Sequence, residues 1–235
     1  NRLRERFEAG EVALSVLDNT YSPTLVEFYG ELGVDAVWLD LEHGGPSPLD
    51  GPTMEHLLLA AERTGTELLV RLPSTDPTLL RKALDLGVRN VFLPRVESAE
   101  AVERAVRSAR FEHDGEPGDH LATADREVLV GATIETPAAV AAIEEILAVP
   151  DLGFVFAGPF DLSVGVGHPD EIDHPDVAEG IETVRSAATE AGVPLGGLGF
   201  GMDDVNQKAE AGYQLLNLGS TTGALRGVVE GWLDD

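Results

Sequence analysis

The 235-residue sequence contains no cysteine and only two lysines among its 16 basic residues. The missing cysteines exclude disulfides, thiolate metal sites and cysteine nucleophiles. The sequence also has no apolar run of about 18 residues, and its N-terminal segment, NRLRERFEAGE, predicts a polar helix rather than a signal peptide. We therefore expect a soluble, cytoplasmic protein.

Positive charge is scarce throughout the chain. The sequence has 42 acidic and 16 basic residues, and its net charge is -26. A field of this sign repels nucleic acids and anionic membranes, so neither is expected as a partner. Apolar periodicity along the whole chain argues against disorder. Because concentrated salt screens repulsion between surface carboxylates, we expect a halophilic source; the alternative is an ordinary acidic cytosolic enzyme.

Short β-branched apolar runs alternate with helical patterns, which is typical of a parallel sheet. No GxGxxG motif follows the first of these runs, which disfavours a doubly wound open sheet as the alternative. The sequence therefore predicts an α/β protein, a (β/α)8 TIM barrel forming a single domain over residues 1–235. The expected strands are Ala13–Leu17, Ala36–Leu41, Glu67–Arg71, Asn90–Leu93, Val128–Ile134, Gly153–Ala157, Pro194–Gly197 and Leu215–Leu218.

Residues typical of helix ends lie between the predicted strands, as this assignment requires. Thr136 precedes a proline and the run AAVAAIEEIL, as expected of a helix N-cap. Gly87, Gly192 and Gly212 each follow a helical run, where a left-handed residue commonly ends the helix. The polar stretch FEHDGEPGDHLATADRE, residues 111–127, predicts a long surface loop or lid.

Two carboxylates follow neighbouring strands at the end of a barrel where active sites form. Glu135 ends the fifth predicted strand, and Asp161 follows the sixth. Together they suit a hard divalent cation that keeps open coordination positions. The alternative is that Glu135 lies in the first turn of a helix and Asp161 caps the next helix.

Further charged residues are expected at the same rim. Arg71 ends the run ELLVR and needs an anionic partner; it would either stabilise an oxyanion or enolate, or form a structural salt bridge. His43 follows Asp40 by three residues, and the pair predicts a carboxylate-oriented general base, with a solvated loop histidine as the alternative. Strand alternation leaves the direction of Glu42 open.

Five segments in order carry a family resemblance: LDLEHGGPS, VRLP, KALDLGVRNVFLPRVES, IETPAA and FAGPFDLSVGVG. With them the chain resembles, nearly end to end, the HpcH/HpaI family of class II pyruvate-type aldolases. The resemblance implies that Glu135 and Asp161 bind a divalent ion, Mg²⁺, Mn²⁺ or Co²⁺, which chelates pyruvate. It further implies that Arg71 stabilises the enolate, and that His43 supported by Asp40 moves the proton of the substrate 4-hydroxyl.

The same resemblance implies other site residues and an assembly. Gly158 and Pro159 would line the pyruvate site, and Asp85 would reach the active site of a neighbouring subunit, unless it is only a solvated helix-end carboxylate. Family members are typically homo-oligomers, hexamers or trimers of dimers, with the last helix, here TTGALRGVVEGWL, exchanged between subunits. The apolar stripe of that helix would serve an exchanged or an intramolecular helix equally well.

Three features depart from the family pattern. Thr133 stands where many relatives have glutamine, which puts one polar contact to pyruvate in question. Arg95 adds a positive charge near the end of the fourth strand, where it would receive a second acidic group on the substrate. Residues 111–127 are shorter than the active-site loop expected there.

We therefore predict an aldehyde-lyase that reversibly cleaves a 4-hydroxy-2-oxo acid to pyruvate and an aldehyde through a metal-bound enolate. One alternative is a CoA-thioester lyase of the citrate lyase β or malyl-CoA lyase type; another is a non-catalytic metabolite-binding barrel. A Schiff-base aldolase is disfavoured because Lys82 and Lys208 both lie in helical patterns.

Overall fold

A computed structural model describes residues 1–110 and 126–234 as a closed barrel of eight parallel strands. Each strand pairs with its neighbours in chain order, and the eighth pairs with the first. The predicted (β/α)8 TIM barrel is confirmed. The strands are β1 (Ala13–Leu17), β2 (Ala36–Asp40), β3 (Glu67–Arg71), β4 (Asn90–Leu93), β5 (Leu129–Ile134), β6 (Phe154–Ala157), β7 (Leu195–Leu198) and β8 (Leu215–Ser220). Their ends differ from the expected ones by at most two residues, because terminal residues turn out of the ladder into loops.

Helices follow the strands and surround the barrel. They are α1 (Arg2–Glu8), α2 (Pro23–Glu31), α3 (Gly51–Thr64), α4 (Pro77–Asp85), α5 (Ala99–Ala109), α6 (Pro137–Ala141), α7 (Ile143–Leu147), α8 (Pro159–Gly165), α9 (Pro175–Ala191), α10 (Met202–Glu210) and α11 (Thr221–Asp234). The run expected as one helix after Thr136 is divided at Ala142 into α6 and α7. The loop expected at 111–127 lies, apart from its last two residues, outside the described residues. In the described part of the chain, no helix is long and apolar enough to cross a bilayer.

The residues that were predicted to begin and end helices do so in the structure. Thr136 caps α6, since its Oγ1 accepts a hydrogen bond from the Ala139 N–H at 3.1 Å. Gly192 ends α9 with φ 67°, a left-handed conformation that glycine adopts without a Cβ clash. Gly87 and Gly212 also have positive φ just beyond α4 and α10. Thr136 therefore marks where a helix begins after a strand, and the three glycines mark where the chain turns back toward the next strand.

Strand alternation divides the core into two layers. Outward-facing side chains pack against the helices, whereas inward-facing ones fill the barrel. The helix α1 closes the barrel at the N-terminal ends of the strands, where its Leu3 and Phe7 join the interior cluster. The residues of that cluster are Leu3, Phe7, Ala13, Ala36, Trp38, Leu69, Phe92, Leu129, Phe154, Phe156 and Leu215. The described residues thus close the barrel at its N-terminal end and leave its C-terminal end for a site.

The last helix is an exception to this packing. Only Thr221 of α11 is buried, and its Oγ1 is 2.8 Å from Oδ1 of Asp18 at the end of β1. Farther along the helix, Trp232 is 72% exposed. The other exposed apolar residues of the helix are Leu225, Val228, Val229 and Leu233. Therefore α11 does not bury its apolar stripe against its own barrel.

Candidate active site

Several predicted site residues continue the inward-facing rows of the barrel. In β2, Asp40 lies two residues beyond the interior Trp38, and in β3 Arg71 lies two residues beyond Leu69. In β5, Thr133 is followed two positions later by Glu135. Because residues i and i+2 of a strand share a face, the same alternation that builds the interior core delivers these polar groups to its upper end.

Aromatic rings form the floor of the site. The Trp38 ring centroid lies 5.2 Å from that of Phe92 and 5.4 Å from that of Phe156, both in edge-on arrangements. A cavity of about 130 Å³ lies above these rings. Its lining consists of Trp38, Arg71, Phe92, Thr133, Glu135, Phe156, Gly158, Pro159, Phe160, Asp161 and Leu198. The floor is apolar and the walls carry one arginine and two carboxylates, so the cavity suits a small ligand held by its polar end.

Arg71 and Asp40 form a buried bidentate ion pair. The two residues are register partners of β2 and β3, and Arg71 donates from Nε to Oδ1 at 2.9 Å and from Nη2 to Oδ2 at 2.7 Å. Burial by itself raises the pKa of Asp40. The hydrogen bonds and the charge of Arg71 outweigh burial and hold that pKa below its ordinary value. Asp40 therefore fixes the position and orientation of the Arg71 guanidinium at the cavity wall.

The expected pairing of His43 with Asp40 is not what the structure shows. Both Asp40 oxygens accept from Arg71, because the guanidinium fork matches the carboxylate across the two strands. Instead, His43 Nε2 lies 3.4 Å from Oε2 of Glu42. The half-exposed imidazole is thus next to Glu42, the residue whose direction the sequence left open.

Glu42 connects the two arginines of the site. Its Oε2 lies 3.1 Å from Nη1 of Arg71, and its Oε1 lies 3.0 Å from Nε of Arg95. The Glu42 side chain is buried, whereas that of Arg95 is largely exposed. Glu42 therefore links the charge at the cavity wall to a charge at the rim.

Glu135 is the most deeply buried carboxylate of the cavity, at 2% exposure. Burial raises the pKa of Glu135; the backbone N–H of Arg95 opposes this by donating to Oε1 at 2.7 Å, and the negative charge of Asp161 raises the pKa further. Oε2 lies 4.0 Å from Nη1 of Arg71. Gly158 makes room for this carboxylate, since a Cβ there would lie 2.8 Å from the Glu135 Cβ. Two carboxylates close enough to repel each other here favour a shared cation.

Asp161 and Pro159 enter the cavity lining from the first turn of α8, directly after β6. The fold therefore brings six of the predicted site residues to one cavity: Glu135, Asp161, Arg71, Thr133, Gly158 and Pro159. Asp85 does not join them: it is exposed at the C-terminal end of α4, which leads to the start of β4 at the opposite end of the barrel.

Two polar atoms of the lining have no hydrogen-bond partner among the described residues. They are Oγ1 of Thr133 and Nε1 of Trp38, and both are buried. Since buried polar groups in native proteins are nearly always paired, these two point to a ligand or ordered water in the cavity. A hydroxyl and an indole N–H are both suitable donors to an oxo acid.

Comparison with known proteins agrees with this geometry. The sequence model of HpcH/HpaI aldolase/citrate lyase matches residues 18–227. The chain belongs to this family. It is 29% identical to the 5-keto-4-deoxy-D-glucarate aldolase of Salmonella newport (strain SL254), with 96% of this chain and 93% of that protein covered. The family and this relative indicate a lyase of the aldolase type.

Solved structures show the same relationship. An HpcH/HpaI family protein from Burkholderia cenocepacia J2315 superposes with a TM-score of 0.91 at 29% identity, covering 100% of this chain and 98% of that one. The crystal structure of citrate synthase SbnG superposes with a TM-score of 0.91 at 25% identity, covering 99% and 96%. The same barrel fold therefore occurs in proteins named for different reactions.

In this HpcH/HpaI protein, the cavity residues fit a divalent cation. Four carboxylates, Asp40, Glu42, Glu135 and Asp161, face two arginines, Arg71 and Arg95, which leaves two formal negative charges. Carboxylate oxygens are the ligands that hard divalent ions prefer. Glu135, whose Oε2 makes no hydrogen bond among the described residues, and Asp161 would be the ligands.

A second cluster of ligand-type atoms lies outside the cavity. Atoms of His168, His174 and Asp176 lie within 4.8 Å of one another. The two imidazole rings stack with centroids 3.3 Å apart and planes 15° from parallel, so their in-plane lone pairs do not converge on one point. His174 Nδ1 also accepts the Asp176 N–H at 3.2 Å and caps α9. This arrangement favours helix capping over metal binding.

Sequence reasoning missed two residues that shape the site and the main-chain contact that Arg95 makes. Trp38 could have been found, because it lies two positions before Asp40 on the same strand. Tyr21, which donates from its hydroxyl to the Asp40 carbonyl at 2.6 Å, lies far from Asp40 in sequence. The backbone N–H of Arg95 also had no local signal, since any residue supplies one.

Proposed function

We propose that the protein is a metal-dependent aldolase that reversibly cleaves a 4-hydroxy-2-oxo acid to pyruvate and an aldehyde. The observation that carries this proposal is the buried Glu135 carboxylate beside Asp161 and Arg71, above a closed aromatic floor. Such a site combines cation ligands with a fixed positive charge, as enolate chemistry requires.

Glu135 and Asp161 would hold the cation, Mg²⁺, Mn²⁺ or Co²⁺. A bound divalent cation supplies Lewis-acid stabilisation of the negative charge that develops on the 2-oxo group. Arg71 contributes a second positive charge near that group. Because Asp40 holds Arg71 in place with two hydrogen bonds, this charge requires little reorganisation during the reaction.

The remaining cavity residues orient pyruvate. Thr133 donates its unpaired hydroxyl to a pyruvate oxygen, which satisfies a group that is otherwise buried without a partner. Gly158 and Pro159 line the same side of the cavity, where the absence of a Cβ at Gly158 allows close approach. The aromatic floor excludes water beneath the reacting carbons.

His43 moves the proton of the substrate 4-hydroxyl at the cavity entrance. Its half-exposed ring allows proton exchange with water, and Glu42, 3.4 Å from Nε2, orients it. In this proposal Asp40 positions Arg71. Asp85, exposed at the far end of α4, serves the active site of a neighbouring subunit.

We also propose that the protein is a homo-oligomer, a hexamer or trimer of dimers, in which α11 is exchanged between subunits. The exposed apolar residues of α11, including Trp232, support this assembly because water-exposed stripes of this size usually mark an interface. Light scattering should give a multimer for the wild type and a smaller species for Trp232→Asp. A monomeric wild type would contradict the assembly.

Pyruvate release tests the reaction. The protein is stripped with EDTA, restored with Mg²⁺, Mn²⁺ or Co²⁺, and assayed on a panel of 4-hydroxy-2-oxo acids. We expect release only after metal restoration. Glu135→Gln should lose metal binding and activity together, while Glu100→Gln, which removes an exposed α5 carboxylate paired with Arg104, should retain both. Metal-independent turnover, or full activity of Glu135→Gln, would contradict the proposal.

A second candidate is carbon–carbon lyase or synthase chemistry on another oxo acid or on a CoA thioester. The similarity to citrate synthase SbnG is the observation that favours it. The same assay therefore includes acyl-CoA esters and oxaloacetate. Turnover of these alone would favour the second candidate, and pyruvate binding without any turnover would indicate a metabolite-binding barrel.

A further inference from the structure

Tyr21 adopts an unusual backbone conformation in the turn between β1 and α2. Its φ is 54°, in the left-handed region that side chains as bulky as tyrosine rarely occupy. Residues in this conformation persist only where surrounding contacts maintain them, and they cluster at functional sites. The turn follows the C-terminal end of β1 and therefore lies at the end of the barrel that carries the candidate site.

The carboxylate of Asp18 maintains this turn. Asp18 ends the chain of β1 and is fully buried, at 0% exposure. Its Oδ1 accepts hydrogen bonds from Thr20 Oγ1 at 2.7 Å and from the Thr20 N–H at 3.3 Å. Its Oδ2 accepts a hydrogen bond from the Ser22 N–H at 3.2 Å. Because these bonds hold the residues on both sides of Tyr21, they fix its left-handed conformation.

The side chain of Tyr21 reaches the segment that follows β2. Its hydroxyl donates to the Asp40 carbonyl at 2.6 Å. Its ring packs directly on the main chain of Gly45, where a Cβ would lie 2.5 Å from Tyr21 Cζ. A Cβ at Gly44 would lie 3.0 Å from the hydroxyl oxygen. Tyr21 therefore contacts the chain both before and after His43.

The position of His43 depends on such main-chain support, because its side chain is half exposed. Its Nε2 lies 3.4 Å from Oε2 of Glu42, which is longer than a normal hydrogen bond. The Glu42 N–H donates to Asp40 Oδ1 at 3.0 Å, and this bond holds the chain before His43 but not after it. Proton transfer needs hydrogen-bond reach, and a displacement of about 1 Å can lower a rate by about a hundredfold.

We infer that Tyr21 is a positioning residue for His43, which it keeps at the cavity entrance by holding the main chain on both sides. This inference rests on the proposed function, in which His43 moves the proton of the substrate 4-hydroxyl. Tyr21 itself lies outside the cavity lining that the described residues form around Glu135 and Asp161. Its loss should therefore lower kcat without changing the binding of metal or pyruvate.

Steady-state kinetics of the metal-loaded protein test the inference. The kcat for pyruvate release is divided by the number of pyruvate-binding sites, so that an unfolded fraction does not count. Tyr21→Phe loses the hydrogen bond to Asp40 and should lower kcat by about threefold or more. Tyr21→Leu also loses the ring contact with Gly45 and should lower kcat by about thirtyfold. The dissociation constants for pyruvate and metal should change by less than about twofold in both variants.

Two further variants separate positioning from a structural role. Tyr29→Phe is the matched control, because the Tyr29 hydroxyl donates to Thr221 Oγ1 at 2.9 Å and not to the segment after β2; it should leave kcat unchanged. His43→Asn should itself lower kcat. If Tyr21 acts through His43, adding Tyr21→Leu to His43→Asn should cause little further loss, since both substitutions remove the same contribution.

Several results would overturn the inference while the proposed aldolase activity stands. They are a wild-type kcat in Tyr21→Leu or in His43→Asn, an equal loss of kcat in Tyr29→Phe, and fully additive losses in the double variant. If the wild type releases pyruvate from none of the 4-hydroxy-2-oxo acids, the proposed function fails and this inference fails with it.

Discussion

Replacing Thr133 by valine should raise the stability of the protein and weaken its affinity for pyruvate at the same time. Thr133 is 2% exposed, and its Oγ1 has no hydrogen-bond partner among the described residues. Valine has nearly the same shape but no hydroxyl. The substitution therefore removes a buried polar group that contributes to ligand binding and not to folding.

The two effects can be estimated separately. An unpaired buried hydroxyl costs about 1–3 kcal/mol, so its removal should increase the free energy of unfolding by about 1 kcal/mol when a water partly satisfies the group. A hydrogen bond to a charged ligand contributes about 1.5–3 kcal/mol. Its loss should raise the dissociation constant for pyruvate by about tenfold or more.

Urea unfolding without ligand and pyruvate titration of the metal-loaded protein measure these two quantities. Thr66 provides a matched control, because it is 5% exposed and its Oγ1 donates to the Val34 carbonyl at 2.9 Å. Thr66→Val should lower the free energy of unfolding by about 1 kcal/mol and leave pyruvate binding unchanged. If Thr133→Val destabilises the protein as Thr66→Val does, or binds pyruvate normally, the assignment of its hydroxyl to the ligand is refuted.

Asp40→Asn should cost about 2 kcal/mol at pH 7, because it weakens the two charge-assisted hydrogen bonds of Arg71 and leaves Glu42 as the nearest carboxylate. The pKa of Asp40 is lowered in the folded protein, so the stability difference between wild type and variant should be complete above the ordinary carboxyl pKa. In urea unfolding, the difference should shrink as the pH falls below about 4 and vanish below the lowered folded pKa. A pH-independent difference would contradict this. Gly158→Ala places a Cβ 3.1 Å from Glu135 Oε2 and should reduce metal affinity in calorimetric titrations, whereas Gly51→Ala, with only an ordinary contact of 3.5 Å to Leu86, should not; equal affinities would refute the steric argument. Finally, the net charge of -26 predicts that KCl raises the melting temperature more than sucrose at equal osmolality, and equal effects would remove the case for a screened surface.

The barrel and half of the site were predictable because both follow from local patterns. Eight short apolar runs separated by helices predict the strand order directly, since consecutive βα units in a barrel are neighbours. Glu135 and Asp161 come from adjacent strands for the same reason. Their convergence on one cavity therefore required no knowledge of side-chain packing.

The contacts of the polar rim were not predictable. The sequence suggested His43 as the partner of Asp40, but cross-strand register gives Asp40 to Arg71 instead. Beyond the end of β2, the direction of Glu42 depends on how the loop leaves the strand, which alternation does not determine. The left-handed turn at Arg95 had no signal at all, because arginine is not a residue that favours positive φ.

One carboxylate links the two halves of the proposed site. Oε1 of Glu135 accepts the Arg95 N–H, which leaves Oε2, 4.0 Å from Arg71, as the oxygen available to a cation. The turn that presents the Arg95 guanidinium at the rim is thus fixed by the same group that would hold the pyruvate end. A substitution at Arg95 that disturbs this turn would then alter the rate with any aldehyde through Glu135.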